Sequence, residues 1–192
     1  MIDEHLIDQN VAEHRAVVET ILSDNRSAIA SAASKIVESL RAGGCIFWFG
    51  NGGSASDSQH LAAEFVGRFK KNRRALRSIA LNCDTSTLTC ISNDFSFDDI
   101  FARQIEALGR PGDLAIGIST SGNSENVIRA LNLAKEMGLT TISMLGKGGG
   151  KLREATDVTL LVRSDTTARV QETHILIGHI ICDLVELELG FA

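Results

Sequence analysis

Apolar runs too short for helices alternate with helical stretches over most of this chain, and this alternation limits its fold more than any other feature. Such runs are typical of parallel strands that are buried on both faces. Strands separated by helices indicate an α/β fold: a doubly wound, mainly parallel five-stranded sheet flanked by helices. Sheets of this kind bind ligands beyond the carboxyl ends of their strands. The predicted strands are Cys45–Phe49, Ser78–Leu81, Asp113–Ser119, Thr140–Leu145 and Val158–Val162.

Helical stretches both precede and separate these strands. Apolar periodicity predicts two leading helices, one over Ile7 to Leu22 and one over Ile29 to Leu40. We therefore expect a single domain over residues 1–192, with leading helices in residues 1–42 and an α/β core in residues 43–192. The later helical stretches are predicted at about Ser54–Phe69, Thr85–Leu108, Ser124–Met137 and Ala168–Leu189.

The composition excludes several classes of protein. A formal net charge of −5 does not favour nucleic acid as a partner. No apolar stretch approaches the roughly 18–20 residues of a membrane helix, and the N-terminus lacks the layout of a signal peptide. We therefore expect a cytoplasmic protein with neither a membrane nor a nucleic-acid partner. The cysteines form no CxxC pair and are expected as buried thiols: Cys45, Cys83, Cys90 and Cys182.

One basic segment stands out against the acidic balance. Arg68–Arg77 holds six basic residues within ten. It is either a solvated helix end and loop or a patch that faces a phosphate. The sequence leaves both alternatives open.

The first candidate site is the glycine-rich loop Gly50–Ala55, directly after the first strand. Its glycines allow backbone N–H groups to approach a ligand closely, and the next helix offers its positive end. The spacing also matches the G-x-G-x-x-A dinucleotide fingerprint, which expects an acidic residue about 20 positions on. The candidate, Asp84, lies 34 residues after Gly50, so the loop is weak evidence for NAD.

The second candidate site is the loop Ser119–Ser124, between the third strand and a helix. Its four hydroxyl groups belong to Ser119, Thr120, Ser121 and Ser124. Helix capping accounts for one or two of them. Hydroxyls and free N–H groups are what the oxygens of a phosphate monoester require, so we predict phosphate binding here.

Residues able to do chemistry lie on two of the helices. His60 and Glu64 are four apart and so share one face, where they could hold a metal ion or a substrate. The alternative is a surface histidine beside a solvated glutamate, although Glu64 interrupts an otherwise apolar stretch. Gln171 and His179 are eight apart on roughly the same side of the last helix. For His179 the alternative is a histidine of the core.

The two loops together resemble one known family. GNGGS paired with STSGNS in an α/β chain is similar to the sugar isomerase (SIS) domain family, and within it to the phosphoheptose isomerases. The likeness covers essentially the whole chain. Many relatives have a proline after the position of Arg68, where this chain reads KNRRALRSIAL, so the shape of that loop stays open. The segments that carry the resemblance are Gly50–Phe69, Asn93–Phe101, Gly117–Ile128, Gly146–Leu152 and Arg169–Glu186.

The resemblance implies a role for each matching residue. Glu64 and His179 match the catalytic base and acid. One zinc ion per subunit would be held by His60, Glu64, Gln171 and His179. The family also implies a homotetramer with sites between subunits, in which the leading helices pack against neighbours. Substrate contacts are implied at Asn51, Gly52, Gly53, Ser54, Glu64, Asn93, Asp94, Ser119, Thr120, Ser121, Ser124 and Gln171.

The implied activity is an aldose–ketose isomerisation of sedoheptulose 7-phosphate to D-glycero-D-manno-heptose 7-phosphate, a precursor of lipopolysaccharide and capsule heptose. Glu64 would move a proton from C1 to C2 through a cis-enediol, while His179 shuttles protons at the oxygens. A glutamate bound to zinc is a poorer base, so the coordination of Glu64 is expected to change during turnover. The alternative is a non-catalytic SIS protein that binds a sugar phosphate or the replication initiator protein. Such a protein needs neither Glu64 nor His179, and this chain has both.

Overall fold

The computed structural model describes residues 2–191 and contains one sheet of five parallel strands. The strands lie in the order β2-β1-β3-β4-β5, and every neighbouring pair is parallel. This confirms the predicted fold class, and each predicted strand is within one residue of the observed bounds. The strands are β1 (Ile46–Gly50), β2 (Ser78–Ala80), β3 (Leu114–Ser119), β4 (Thr140–Gly146) and β5 (Val158–Val162).

The helices agree less closely with the prediction. The first leading helix is wrong as a continuous element, because it stops at Glu19 and the hydroxyl of Thr20 donates to the Val17 carbonyl. Thr85–Leu108 is likewise two helices, separated by a 3₁₀ turn over Phe97–Asp99. Within residues 2–191 the α-helices are α1 (His5–Glu19), α2 (Ile21–Asp24), α3 (Arg26–Arg41), α4 (Gly53–Val66), α5 (Thr85–Asp94), α6 (Ala102–Leu108), α7 (Glu125–Glu136) and α8 (Thr167–Glu188).

Two hydrophobic clusters sandwich the sheet. Because strand side chains alternate between faces, Ile46 and Trp48 join the cluster under α3, α4 and α8. Phe47 and Phe49 join the cluster under α6 and α7. All five residues of β1 are buried, which explains the unbroken apolar run in the sequence. None of the helices within residues 2–191 is both long and apolar enough to cross a membrane.

The cysteines divide into two groups. Cys45 and Cys182 are buried, as expected, whereas Cys83 and Cys90 are exposed, so the expectation was wrong for these two. The exposed pair lies outside the two clusters, on the loop before α5 and on α5 itself. All four thiols are free.

The basic segment Arg68–Arg77 also divides. Five of its six basic side chains belong to exposed residues, which agrees with a solvated loop. Arg73 fits neither alternative, because its side chain is only 1% exposed and pairs with Glu186 of α8. The segment therefore packs on the domain through one buried cation.

His174 of α8 is fully buried beneath the end of β4. Its Nε2–H donates to the carbonyl of Leu145 at 3.0 Å, and its Nδ1 has no partner within the described residues. Burial lowers the pKa of this imidazole to about 4, against the opposing effect of the hydrogen bond. The side chain is therefore neutral at pH 7 and serves the packing of α8 on the sheet.

We expect His174→Gln to flatten the acid dependence of stability, because its amide can donate to the same carbonyl without titrating. Between pH 6.5 and 4 the unfolded chain takes up a proton at residue 174 that the folded chain does not. The free energy of unfolding should therefore fall by about 3 kcal/mol more in the parent than in the variant over this range. Urea unfolding at several pH values measures the difference. Parallel pH profiles for the two proteins would contradict it.

Candidate active site

The glycine and serine loops leave the sheet side by side. The strand order reverses at the β1/β3 pair, and a sheet of this order binds ligands in the crevice at that point. The glycine loop (residues 50–55) follows β1, and the serine loop (residues 119–124) follows β3. Gly50 pairs with Ile118, and a Cβ at Gly50 would lie 2.7 Å from the Ile118 carbonyl oxygen. The sequence therefore places both loops at one edge, as predicted.

The backbone of the glycine loop turns directly into α4. Gly52 has a φ of 58°, which favours glycine, and α4 begins at the next residue. Ser54 is buried in the first turn. The loop thus presents a bare helix N-terminus to the crevice, which suits an anion or a sugar hydroxyl.

The serine loop is held in a compact turn by its own hydroxyls. The Oγ atoms of Ser119 and Ser124 lie 2.9 Å apart, and Ser119 Oγ accepts from the Gly122 N–H at 3.1 Å. Gly122 has a φ of 65°, and a Cβ there would collide with the carbonyl of Gly149. The Gly146–Leu152 segment therefore packs against the serine loop and fixes its shape.

The N-terminus of α7 faces the same crevice. Ser124 stands at the N-cap without making a side-chain cap hydrogen bond. The N–H groups of Glu125 and Asn126 find no acceptor within residues 2–191. Unpaired first-turn N–H groups beside serine hydroxyls are donors of the kind that a phosphate requires.

A pair of amides joins the two loops. Asn51 and Asn126 donate to each other's side-chain oxygens, both at 2.9 Å, and Asn126 is 2% exposed. Asn51 was predicted to contact substrate; Asn126 was missed. Its signal in the sequence is a buried asparagine on the first turn after the serine loop.

Three chemically active side chains converge between α4 and α8. His60 Nε2 lies 3.2 Å from Glu64 Oε1, and the rings of His60 and His179 meet edge to face with centroids 5.1 Å apart. Leu61 packs on Gly178 between them. The potential donor atoms of His60, Glu64 and His179 all lie within 4.8 Å of one another. We call these three residues the donor cluster.

The donor cluster fits a zinc ion. Imidazole nitrogens and a carboxylate oxygen are ligands that zinc prefers, at bond lengths of about 2.0–2.2 Å, so two ligands can lie up to roughly 4.4 Å apart. The donor atoms of the cluster all lie within 4.8 Å of one another, which is close to this limit, and His60 Nε2 and Glu64 Oε1 are only 3.2 Å apart. Three protein ligands leave a further position open for substrate, as catalytic zinc sites require.

We call the space along α4 and α8 that holds the donor cluster the groove. Gln171 of α8 lies at the end of the groove that is next to the glycine loop. A Cβ at Gly53 would collide with the Gln171 side-chain amide, so the two residues are in close contact. Eight residues, about 12 Å of helix axis, separate Gln171 from His179. The implied substrate contact of Gln171 stays a prediction, as does its role as a fourth metal ligand.

Asn93 and Asp94 are set apart from the other candidates. Both are exposed at the end of α5, where Asn93 donates to Asp94 at 2.7 Å. Within residues 2–191 no hydrogen bond joins either of them to the loops or to the donor cluster. Their substrate contact stays a prediction of the resemblance.

Asp57 is a further residue that the sequence analysis missed. It lies one turn before His60 on α4, and its Oδ2 is buried without a hydrogen-bond partner within the described residues. Burial raises its pKa to about 6, while the charge of His60 lowers it. Asp57 therefore adds a carboxyl group of raised pKa to the same helix, one turn before the donor cluster. The sequence does place Asp57 three residues before His60, a spacing that puts the two side chains near one another on a helix.

Asp84, the acid weighed for a dinucleotide site, has a structural role. Its carboxylate accepts from the N–H and the hydroxyl of Thr87 and so caps α5. Those hydrogen bonds lower its pKa. Helix capping explains the presence of this aspartate, so it is not evidence for binding the ribose of a dinucleotide.

Comparison with known proteins gives consistent results. The family model described as SIS domain matches residues 9–146. A phosphoheptose isomerase of Paramagnetospirillum magneticum is 54% identical over 180 residues, which are 94% of each chain.

Two solved structures of phosphoheptose isomerases are also similar. That from Neisseria gonorrhoeae has a TM-score of 0.91 at 41% identity, with 96% of this chain and 98% of that chain covered. That from Francisella tularensis has a TM-score of 0.93 at 34% identity, with 97% and 100% covered. The resemblance noted in the sequence is thereby confirmed: the chain belongs to the SIS domain family and, within it, to the phosphoheptose isomerases.

Proposed function

We propose that this protein converts sedoheptulose 7-phosphate to D-glycero-D-manno-heptose 7-phosphate, a precursor of bacterial surface heptose. One observation carries the proposal beyond family membership. The donor cluster of His60, Glu64 and His179 lies on α4 and α8, and the same two helices are in contact beside the glycine loop, where Gly53 meets Gln171. An acid, a base and a metal site near a phosphate-binding turn are the parts that this isomerisation requires.

The phosphate is proposed to bind at the serine loop. Ser119, Thr120, Ser121 and Ser124 would donate from their hydroxyls, together with the first-turn N–H groups of α7. The sugar then extends past Asn51, Gly52, Gly53 and Ser54 toward the donor cluster. His60 lies seven residues, about 10 Å of helix axis, beyond Gly53, so phosphate and carbonyl carbon bind at separate places.

Proton transfer is assigned to Glu64 and His179. Glu64 removes a proton from C1 of the ketose, which gives a cis-enediol, and returns it to C2 of the aldose. His179 takes the proton from the C1 hydroxyl and supplies one to the oxygen at C2, so that no net proton is gained or lost. Glu64 lies 23% exposed beside His60, within reach of both solvent and the groove.

A zinc ion, when bound by His60, Glu64, His179 and Gln171, would supply Lewis-acid polarisation of the substrate carbonyl. These four side chains would determine where the ion lies relative to the substrate. Asp57, Asn93, Asp94 and Gln171 are assigned to the substrate hydroxyls. Because Glu64 serves both as base and as ligand, it is expected to change its coordination during turnover.

The active form is proposed to be a homotetramer with sites between subunits. None of the residues of α1 is buried, and its apolar side chains Leu6, Ile7 and Val11 are exposed. Packing of this helix on a neighbour would cover them. Residues 1–42 are therefore assigned to subunit packing, and residues 43–192 to the catalytic core.

The second candidate function, a non-catalytic protein that binds a sugar phosphate or the replication initiator, has less support. A non-catalytic binding protein of this kind would use the serine loop, but it would have no function for the donor cluster. Retention of Glu64, His60 and His179 within 4.8 Å of one another favours the enzyme.

The substitution Glu64→Gln should reduce turnover by about 10²- to 10⁴-fold, because an amide cannot accept the C1 proton. A phosphorus NMR time course with sedoheptulose 7-phosphate measures formation of the heptose phosphate. Glu136→Gln, on the exposed end of α7, is the matched control and should retain parent turnover. Equal turnover in Glu64→Gln would remove the assigned base, and no turnover in the parent, with or without zinc, would favour the binding protein.

Zinc should bind with one ion per chain and be lost readily from the variant His60→Asn. We expect its affinity to fall at least about 100-fold, since one of three well-placed ligands is removed. Competition with a chromophoric chelator measures the affinity. His5→Asn, on the exposed start of α1, is the matched control. An unchanged affinity in His60→Asn would show that zinc binds elsewhere.

Loss of one serine-loop hydroxyl should affect substrate binding more than the chemical step. For Ser124→Ala we expect KM to rise about 10-fold or more with kcat within about threefold, since a hydrogen bond to a charged group contributes about 1.5–3 kcal/mol. Steady-state kinetics gives both constants, with Ser34→Ala on α3 as the control. A fall in kcat at constant KM would place the phosphate elsewhere.

A further inference from the structure

The segment between α4 and β2 is anchored on α8 by a single carboxylate. Glu186 is 3% exposed and accepts from three successive backbone N–H groups. Phe69 N–H donates to Oε1 at 3.0 Å, and the N–H groups of Lys70 and Lys71 donate to Oε2 at 3.0 and 3.1 Å. Although burial alone would raise the pKa of Glu186, these hydrogen bonds and the one from Arg73 lower it. The carboxylate is therefore ionised and holds the segment like a bound anion.

Arg73 connects this carboxylate to the end of α4. Its Nε donates to Glu186 Oε1 at 2.8 Å. Its Nη2 donates to the backbone carbonyl of Glu64 at 2.8 Å, and its Nη1 to that of Phe65 at 2.9 Å. These carbonyls belong to the last turn of α4, where no later helical N–H is available. One guanidinium thus contacts both the backbone of the proposed base and the helix that carries the proposed acid.

The anchored segment places an aromatic ring on the acid. The ring of Phe69 stacks on the imidazole of His179, with centroids 5.4 Å apart and an angle of 25° between the planes. The N–H of the same residue is one of the three bound by Glu186. The backbone anchor and the ring contact therefore belong to one residue, and movement of the segment would change the support of His179.

We propose that the buried Arg73–Glu186 pair is a positioning clamp for the acid and the base. It fixes the last turn of α4, which carries Glu64, relative to α8, and it holds Phe69 against His179. The residues Phe69, Arg73 and Glu186 touch no reacting atom; they act through Glu64 and His179. This role rests on the proposed isomerase function, because it concerns the two residues assigned to proton transfer there.

A purely stabilising ion pair would explain the burial but not the choice of partners. An exposed pair lies on the same segment and helix, between Lys70 and Asp183 at 2.6 Å, and exposed pairs contribute little to stability. It offers a matched control, since Asp183→Asn removes a charge from α8 without affecting the three backbone N–H groups. Removing one partner of the buried pair leaves an uncompensated charge.

The first test does not depend on turnover. In zinc-supplemented protein, NMR spectra of the histidine side chains, assigned with His179→Gln, report the ring of Phe69 through its ring current. Phe69→Leu should shift the His179 resonances, and Arg73→Lys and Glu186→Gln should shift them in the same direction. Asp183→Asn removes a charge one helical turn from His179 but keeps Phe69, Arg73 and Glu186, so it should shift the His179 resonances less than any of these three variants. A pair that only stabilises the fold would lower the melting temperature of these variants without shifting the His179 signals.

The second test separates positioning from binding. We expect Arg73→Lys and Glu186→Gln to lower kcat about 10- to 100-fold, with KM within about threefold, since displacement of a catalytic group by about 1 Å costs this much. Phe69→Leu keeps the ion pair intact and should lower kcat in the same way if either of the other two fails to fold. Asp183→Asn should retain the parent kcat.

Two results would overturn the clamp. One is a parent-like kcat in Phe69→Leu. The other is unshifted His179 resonances in folded Arg73→Lys or Glu186→Gln, when amide exchange shows that the Phe69, Lys70 and Lys71 N–H groups have lost protection. An absence of isomerase activity in the parent would refute the proposed function instead, and the NMR test would still decide whether the clamp holds Phe69 on His179.

Discussion

Leu61 of α4 lies directly on Gly178 of α8, and a Cβ at residue 178 would come within 2.5–2.7 Å of both Leu61 methyl groups. This absence of a side chain lets the two helices approach closely. They run in the same direction, because Gly53 in the first turn of α4 meets Gln171 in the second turn of α8, and His60 meets His179 about two turns later. Every residue of the groove depends on that approach. A larger residue at 178 would collide with Leu61, and these two residues are the sequence neighbours of His179 and His60.

The close approach creates an electrostatic problem at the far end of the groove. The carbonyls of Glu64 and Phe65 and the carboxylate of Glu186 all accept from the same guanidinium, and without it these oxygens would repel one another. The guanidinium of Arg73 lies between them and satisfies both. At the near end the first turn of α7 leaves the N–H groups of Glu125 and Asn126 unpaired within the described residues, which suits an anionic ligand. The groove thus has one end satisfied by the protein itself and one end left for substrate.

The sequence alone was sufficient to predict those features of the fold that depend on a local pattern of residues. The strands, the two loops at one sheet edge and the shared face of His60 and Glu64 all follow from spacing within one element. The division of Thr85–Leu108 was missed although Ser96 is a residue type that caps helices, and its hydroxyl does accept from the Asp98 N–H at the start of the 3₁₀ turn. The length of helical patterns is a poor guide where short helices follow one another.

Contacts across long separations in sequence were beyond local reasoning. Nothing near Arg73 in the sequence indicates that its partner is Glu186, 113 residues away. The six basic residues within ten therefore indicated only a solvated segment or a patch that faces a phosphate, and neither alternative included a buried ion pair. The pairing of Asn51 with Asn126, 75 residues apart, was hidden for the same reason. In both cases a polar side chain is buried because a distant one satisfies it. Whether a charged or polar side chain is buried therefore depends on its partner in the fold. It can be predicted only when both partners are known.

Helix α8 shows how one element serves several of these requirements. His174, Ile177, Ile181 and Val185 are buried toward the sheet, at helical spacing. Gln171, Gly178 and Cys182 face α4, and Glu186 faces the segment that follows α4. Because these side chains all belong to one rigid helix, a shift of α8 that improves one of the contacts displaces the others. The imidazole of His179 is thereby held by the packing of the whole helix, and the sheet, the glycine loop and the Arg73–Glu186 pair all bear on the position of one side chain.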